Sequence, residues 1–300
     1  MEVLKLTTEN IKELEAGMRY SMLAQYFQDV ILLTRALGCK YIWIDALCIL
    51  QDSREDWIRE ASRMANVYRN GFLNICAYAT DAQHRLLQDR SVTFWSPCLV
   101  SESGGELLMA MPDSGQVHLL SSEIFQRGWI FQERLISPRT VYVGDRDCIF
   151  ECGNSTPLER LPHKWIDIAH GIATKWLLHR YGGMSSSHGT RFEKVWEKII
   201  ESYPKTYLTF PSDRLPALSA ITALFRDHLG DGYVVGHWSK FFPGNLLWYQ
   251  AADKKGMYLS PPRVRSPSWS WMPVESAGTS GIHHLGIHNT RTDIASVLGR

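Results

Sequence analysis

One short stretch decides the fold class of this chain: Tyr41-Ile42-Trp43-Ile44-Asp45, a continuous apolar run that ends in an acid. A run of this length, rich in β-branched and aromatic residues, predicts a strand that is buried on both faces, as in a parallel sheet. Asp45 is then a candidate site residue, because polar groups at the carboxyl ends of strands line the ligand crevice of open α/β folds.

The segments on either side of this run continue an alternation of helices and strands. Residues 7–38 have the apolar periodicity of two helices. Ser53 and Asp56 resemble a capping box for a further helix over residues 55–69, and residues 72–79 predict the next strand. Helices that alternate with strands are typical of a parallel α/β layer. The sequence therefore predicts an α/β fold.

The later part of the chain has a different character. A helix around Trp129 is followed by predicted strands at residues 140–143 and 148–151. Beyond these, flexible loops, separate helices and an aromatic, proline-containing region replace the alternation. We therefore expect two parts, an α/β domain over residues 1–155 and a mixed helical and β region over residues 156–300 that packs on it.

Composition narrows the functional classes. The chain has 300 residues, of which 45% are hydrophobic and 21% are charged, and its net charge is +1. A near-neutral protein has no electrostatic reason to bind nucleic acid or an anionic membrane. The sequence has no apolar run long enough to span a bilayer, and its first residues do not form a signal peptide. We expect a soluble, cytoplasmic protein whose six cysteines are reduced thiols.

Histidines and cysteines do not predict a metal site. Cys148 and Cys152 have a spacing that fits no zinc motif. His283, His284 and His288 lie in a glycine-flanked segment near the C-terminus, without a neighbouring acid or cysteine. We expect this segment to be a solvated tail and expect no bound metal.

The most informative acid lies in Arg127-Gly128-Trp129-Ile130-Phe131-Gln132-Glu133-Arg134-Leu135. On a helix, Trp129 and Glu133 would lie side by side, one turn apart. An aromatic ring that removes water from a carboxyl raises its pKa, which suits a reactive acid. The same residues also suit a structural ion pair between Glu133 and Arg127 or Arg134. The sequence alone leaves both interpretations open.

Three blocks of the sequence resemble a known family, the fungal heterokaryon-incompatibility (HET) domain. They are Tyr41 to Asp52, Glu55 to Asn70, and Arg127 to Arg139. Segments further along, such as Asp213 to Ser219 and Pro267 to Trp271, are similar to the region that follows this domain in long members. The Ser-Tyr-x-Trp-Gly strand block that usually opens the domain is absent from this sequence.

The resemblance has implications for fold and chemistry. HET domains resemble the Toll/interleukin-1 receptor (TIR) fold, which implies a TIR-like (flavodoxin-like) parallel sheet flanked by helices. Some TIR domains hydrolyse NAD at the nicotinamide–ribose bond with a glutamate that follows a tryptophan by four residues. The resemblance thus implies that Glu133 is catalytic, with Asp45 as the second catalytic candidate and with NAD as a substrate rather than a cofactor. The implied substrate-binding residues are Trp43, Cys48, Gln51, Trp129, Gln132 and Arg134.

Three functions follow from these observations. The first is a HET-type effector of fungal nonself recognition and cell death that hydrolyses NAD and is activated by a protein partner or by forming a homo-oligomer. The second is a shortened HET-like scaffold reused as a cyclase or isomerase of fungal secondary metabolism, in which Asp45, Glu133 or a histidine acts as acid or base on a small molecule. The third is a non-catalytic interaction module.

Overall fold

The chain divides into two compact units, residues 1–181 and 182–300. The boundary predicted near residue 155 lies outside the described residues. No helix among the described residues is long and apolar enough to cross a bilayer. The computed structural model describes residues 3–78, 85–87, 98–103, 105–110, 122–144, 148–152, 175, 189–230, 232–242, 244–250, 267, 269–273 and 282–284.

The first unit mixes helices and short strands, which confirms the α/β composition that the sequence predicts. Its helices are α1 (Ile11–Ala16), α2 (Gln25–Ala36), α3 (Asp45–Cys48), α4 (Arg54–Asn70) and α5 (Gly128–Ile136). Its strands are β1 (Asn74–Ala77), β2 (Cys98–Ser103), β3 (Glu106–Ala110), β4 (Arg139–Val143) and β5 (Cys148–Cys152). Short 3-10 helices lie at Tyr20–Met22 and Glu123–Gln126.

The main sheet of the first unit is mixed. β1 runs parallel to β4, while β5 runs antiparallel to β4 on its other side. β2 and β3 form a separate antiparallel hairpin. The predicted strands at residues 72–79, 140–143 and 148–151 are thus confirmed as elements. The described strands do not form an all-parallel sheet, so the finer TIR-like prediction is not established by them.

The predicted strand at residues 41–45 is wrong. Residues 39–44 join no strand within the described part of the chain, and α3 begins at Asp45. Tyr41 is 90% exposed, whereas a strand buried on both faces would cover it. An apolar run indicates a segment whose side chains pack against other residues, but it does not specify a strand to which the segment hydrogen-bonds. Here Trp43 instead places its ring edge-on to Tyr68 of α4, at 5.6 Å between ring centroids.

The start of α4 confirms the predicted capping role of Ser53. The Ser53 hydroxyl accepts a hydrogen bond from the backbone N–H of Asp56 at 3.2 Å. The buried Asp56 carboxylate does not complete the box. It accepts from the backbone N–H of Leu50 at 2.8 Å and pairs with Arg59. This start fixes the helix register, which turns Met64 into the core and directs Tyr68 toward α5.

The second unit contains two longer helices and four short strands among its described residues. They are α6 (Gly189–Ser202), α7 (Ser219–Leu229), β6 (Tyr233–Val234), β7 (His237–Trp238), β8 (Trp248–Gln250) and β9 (Ile282–His284). Short 3-10 helices lie at Tyr203–Lys205, Pro211–Arg214, Pro216–Leu218, Ser239–Phe241 and Gly244–Leu246. The antiparallel pair of β8 and β9 corrects the prediction of a solvated tail for His283 and His284. His288 lies outside the described residues.

Aromatic side chains form the core of the second unit. Trp196, Trp238 and Trp271 are fully buried. Gly236 lies at the centre of this packing with a φ of 94°, and its carbonyl accepts from the indole N–H groups of Trp196 (3.2 Å) and Trp271 (2.7 Å). A Cβ at Gly236 would come within 2.9 Å of the Trp271 Nε1 atom. Part of the tryptophan content of the chain therefore serves packing.

Candidate functional site

Helix α5 carries Trp129 and Glu133 on one face, as their spacing predicts. The Trp129 ring stands edge-on to the ring of Trp57 on α4, with 5.9 Å between centroids and an interplanar angle of 90°. This contact joins the two helices, α4 and α5. Glu133 therefore lies against α4 one turn further along α5.

Tyr68 of α4 interacts electrostatically with the Glu133 carboxyl, and each of the two groups affects the pKa of the other. Burial raises the pKa of Glu133 to about 7, although the interaction with Tyr68 acts in the opposite direction. The negative charge of Asp45 raises this pKa further, and the positive charge of Arg127 lowers it. At neutral pH the carboxyl is thus divided between its protonated and ionised forms.

Asp45 lies at the start of α3 and is exposed to solvent. One of its carboxylate oxygens accepts the backbone N–H of Ala46 at 2.7 Å. Its charge contributes to raised pKa values at Glu133, Tyr68 and Tyr26, after the larger effect of burial at each group. The charge of Asp45 thus acts on Glu133, the other acid that the sequence predicts as a catalytic candidate.

Trp43 contacts Tyr68, and Cys48 lies on the same short helix as Asp45. Trp43 is half-buried and contacts Tyr68 through the edge of its ring. Desolvation raises the pKa of the Cys48 thiol, the charge of Asp45 adds to the effect, and a backbone hydrogen bond from Ile44 opposes it. A thiol with a raised pKa is protonated at neutral pH, and a protonated thiol is a poor nucleophile. The raised pKa therefore makes Cys48 a poor candidate for a nucleophile.

Gln51 serves the local backbone. Its amide donates to the carbonyl oxygens of Asp45 (3.2 Å) and Ile49 (3.0 Å). These two bonds close the turn that follows α3. The Gln51 side chain therefore stabilises the segment that carries Asp45.

Arg134 is directed to a different carboxylate from Glu133. Its guanidinium lies against Glu151 of β5, with the Nε–Oε2 and Nη2–Oε1 distances at 3.4 and 3.5 Å. The Tyr142 hydroxyl also donates to Glu151. Lys175 lies 3.5 Å from Glu151 and donates to the Thr140 hydroxyl at 2.8 Å. The predicted ion pair between Glu133 and Arg134 is thus replaced by an ion pair between Arg134 and Glu151.

The electrostatics of this second cluster are opposite to those at Glu133. Burial by itself would raise the pKa of Glu151, but the charges of Arg134 and Lys175 and the hydrogen bond from Tyr142 outweigh burial and lower it. Burial lowers the pKa of Lys175 to about 8. Glu151 therefore stays ionised, as a structural ion does. Gln132, beside Arg134 on α5, is only 1% exposed.

Comparison with known families gives a match over much of the first unit. Residues 3–133 match the family described as heterokaryon incompatibility protein (HET). This segment is a HET domain. It contains Asp45, Tyr68 and Glu133. The HET domain indicates a function in heterokaryon incompatibility and the associated cell death. Neither the curated proteins nor the solved structures compared with the chain include a match to it.

Sequence patterns did not identify two residues that matter at this HET domain. The sequence places Tyr68 in the apolar stripe of its helix, where it is expected to be core. The interaction of Tyr68 with Glu133 depends on how closely α4 and α5 approach each other, and no local sequence pattern specifies that distance. Cys76 is buried, and burial together with the charges of Glu133 and Glu151 raises its thiol pKa to about 12. The Cys76 thiol is therefore uncharged at neutral pH. No group of three metal-binding side chains occurs among the described residues.

Proposed function

We propose that the HET domain cleaves NAD at the nicotinamide–ribose bond and that Glu133 is the carboxylate that faces the anomeric carbon. The observation that supports this proposal is the position of Glu133 on α5, one turn after the Trp129 ring that contacts α4, where burial raises the pKa of its carboxyl to about 7. The spacing of Trp129 and Glu133 on α5 is the spacing found in TIR domains that hydrolyse NAD. A TIR-like arrangement of the whole site is part of the proposal.

The chemistry of NAD suits such an acid. The bond between ribose and the pyridinium nitrogen breaks with its electron pair moving to that nitrogen, so nicotinamide leaves as a neutral molecule without needing a proton. The ribose then develops oxocarbenium character, which an ionised Glu133 stabilises or traps as an ester. Water completes the reaction and yields ADP-ribose and a proton. A poorly solvated carboxylate is effective here, because its charge is not screened by water.

Asp45 and Trp43 provide a complementary environment for the leaving group. The pyridinium ring of NAD is cationic, and Asp45 and Glu133 place negative charge beside it. Binding of that cation would favour the ionised form of Glu133, which is the reactive form. The half-buried Trp43 offers an aromatic surface on which nicotinamide can stack.

The direct experiment measures nicotinamide and ADP-ribose release by the purified full chain. The protein is assayed alone and clustered through a fused oligomerising domain, because activation by a partner or by homo-oligomer formation is expected. Glu133→Gln should lower the rate by about 100-fold or more. Glu123→Gln is the matched control, since Glu123 is exposed on the 3-10 helix before α5 and has the same charge. NAD left intact in both forms, or equal rates for the wild type and Glu133→Gln, would reject the proposal.

The pH profile separates this proposal from acid catalysis. NAD cleavage requires ionised Glu133, so kcat/KM should rise with pH with a midpoint near the pKa of about 7. A cyclase or isomerase that used Glu133 as a general acid would lose activity over the same range. A rate that falls as pH rises from 6 to 8 would therefore favour the second class of reaction.

A further inference from the structure

We propose that Arg134 is a positioning residue for Glu133, because its guanidinium fixes the rotation of α5 and so the direction in which Glu133 projects. The inference rests on the proposed NAD cleavage, but the effect of Arg134 on α5 can be measured without NAD. Arg134 acts through Glu133 rather than through contact with the substrate, which differs from the substrate-binding role that the family resemblance implies for it.

The guanidinium of Arg134 makes two kinds of contact. Its central carbon, Cζ, lies over the ring of Phe125 at 4.6 Å from the ring centroid, and Phe125 belongs to the 3-10 helix that precedes α5. Its Nε and Nη2 atoms lie 3.4 and 3.5 Å from the two carboxylate oxygens of Glu151 on β5. A planar guanidinium can bond a carboxylate with its edge while its face stacks on an aromatic ring. One side chain therefore joins α5 both to the segment before it and to the sheet.

The groups that contact Arg134 are themselves fixed in position. The ring of Phe125 packs against the ring of Tyr142 on β4, with 5.4 Å between the centroids. The Tyr142 hydroxyl donates to Glu151, and the Nζ atom of Lys175 lies 3.5 Å from the same carboxylate. Tyr142, Glu151 and Lys175 are buried, so water does not compete for these contacts. Arg134 therefore meets a rigid surface with few alternative positions.

The rotation of α5 is fixed because the helix is held in two directions. Trp129 stands edge-on to Trp57 of α4 at 5.9 Å, and Glu133 lies on the same face one turn later. Arg134 is the next residue after Glu133 and projects about 100° further around the helix, toward the sheet. A change in the contacts of Arg134 would therefore turn Glu133 relative to α4. Misplacement of a reacting group by about 1 Å can lower a rate by about 100-fold.

Arg134→Lys is the test variant, because lysine keeps the positive charge but lacks the planar group that stacks on Phe125. Arg139→Lys is the matched control. The Arg139 Nε atom donates to the carbonyl of Phe72 at 2.8 Å, and its guanidinium lies over the Phe72 ring at 4.9 Å. This second arginine thus makes similar contacts, but it is exposed and belongs to β4 rather than α5.

The rotation of α5 is followed by 19F NMR of the full chain labelled with 5-fluorotryptophan, without NAD. The Trp129 signal is assigned by its loss in Trp129→Phe. Arg134→Lys should shift this signal, because rotation of α5 changes the edge-on contact with Trp57. Arg139→Lys should leave it unchanged. A purely structural role for Arg134 would lower stability without altering the spectrum of the folded protein.

Rates of NAD cleavage separate positioning from substrate binding. Arg134→Lys should lower kcat by about tenfold with little change in KM, while Arg139→Lys should change neither. In a Glu133→Gln background, Arg134→Lys should lower the rate by less than about twofold, because a positioning residue has little effect once the group that it positions is gone. An arginine that binds the substrate would raise KM and lower the rate equally in both backgrounds.

A second variant, Phe125→Leu, protects the test against misfolding. It removes the ring that lies over the guanidinium and leaves the ion pair with Glu151, so it should also shift the Trp129 signal. A Trp129 signal that is unchanged in both variants would overturn the inference, whatever the activity, and so would an equal loss of rate with and without Glu133. A signal that moves as expected in a protein that leaves NAD intact would support the role of Arg134 on α5 and reject the proposed function.

Discussion

Glu133 and Glu151 are two glutamates of the same unit whose surroundings have opposite effects. Burial raises the pKa of Glu133 to about 7, while Glu151 is completely buried and yet has a lowered pKa. The difference lies in the neighbours. Glu151 has Arg134 and Lys175 within ion-pair distance, whereas the groups that act on Glu133 are Tyr68, the acid Asp45 and the charge of Arg127. Burial alone therefore does not identify a reactive acid.

Helix geometry separates the two environments. Glu133 and Arg134 are consecutive on α5, so their side chains leave the helix about 100° apart. One faces α4 and the other faces the sheet, where Glu151 lies opposite Thr140 in the register of β4 and β5. A carboxylate and a guanidinium that are adjacent in sequence thus belong to different clusters. This separation leaves Glu133 without Arg134 as an ion-pair partner.

The largest expected effect concerns the structural glutamate. Among the described contacts, Glu151 is the only negatively charged group that pairs with Arg134 and Lys175. Glu151→Gln removes this charge and leaves two buried cations. Breaking a buried ion pair in this way costs about 3–5 kcal/mol. Chemical denaturation at pH 7 should show this loss in the free energy of unfolding. A double variant, Arg134→Met with Glu151→Leu, should recover part of it. A loss below about 1 kcal/mol for Glu151→Gln would show that the cluster is not a structural ion pair.

The next effect concerns the stability cost of Glu133. Its pKa in the folded state, about 7, is above the ordinary value of 4.5, so the folded protein binds more protons between these pH values. Stability therefore falls as pH rises from 4.5 to 7, and the loss is complete above pH 7. Glu133→Gln lacks this loss. The free energy of unfolding of the variant minus that of the wild type should therefore be greater at pH 8 than at pH 4, by about 1–2 kcal/mol. This value is reduced for the partial exposure of Glu133.

Denaturant unfolding at pH 4, 6 and 8 measures this difference. Glu123→Gln is again the control, because an exposed carboxylate carries no burial cost. A stability difference between Glu133→Gln and the wild type that does not depend on pH would contradict the raised pKa.

A smaller effect tests the influence of Asp45. Asp45→Asn removes a negative charge near Glu133 and should lower the Glu133 midpoint by about half a pH unit. Because Asp45 is exposed, salt should reduce the effect of the wild-type carboxylate. Titration of wild type and Asp45→Asn at low and high ionic strength measures both. An unchanged midpoint at low salt would place Asp45 too far from Glu133 to share its site.

Local patterns predicted the parts of the structure that depend on local interactions. The Ser53 cap, the helix face shared by Trp129 and Glu133, and the strands β1, β4 and β5 all follow from spacing along the chain. The segment at Tyr41 to Asp45 did not follow, because an apolar run does not specify a partner strand, and Tyr41 is in fact exposed. The α/β composition could therefore be predicted, but the sheet order could not.

In the candidate site, too, local patterns predicted some residues and not others. Asp45 and Glu133 could be selected from the sequence, since one is an acid after an apolar run and the other is an acid one turn after a tryptophan. The partners that decide their chemistry could not be selected. Arg134 reaches Glu151 only through the antiparallel register of β4 and β5, and Tyr68 reaches Glu133 only because α4 packs on α5. Long-range packing determines both pKa values.

The most direct test of the account is a pH titration of Glu133 and Glu151 in one sample of the wild-type chain, followed by 13C NMR of their labelled carboxyls. We expect the Glu133 signal to titrate with a midpoint near 7 and the Glu151 signal to remain that of an ionised carboxylate down to below 4.5. A Glu133 midpoint at or below 4.5 would contradict the claim that this HET domain holds a reactive acid at Glu133.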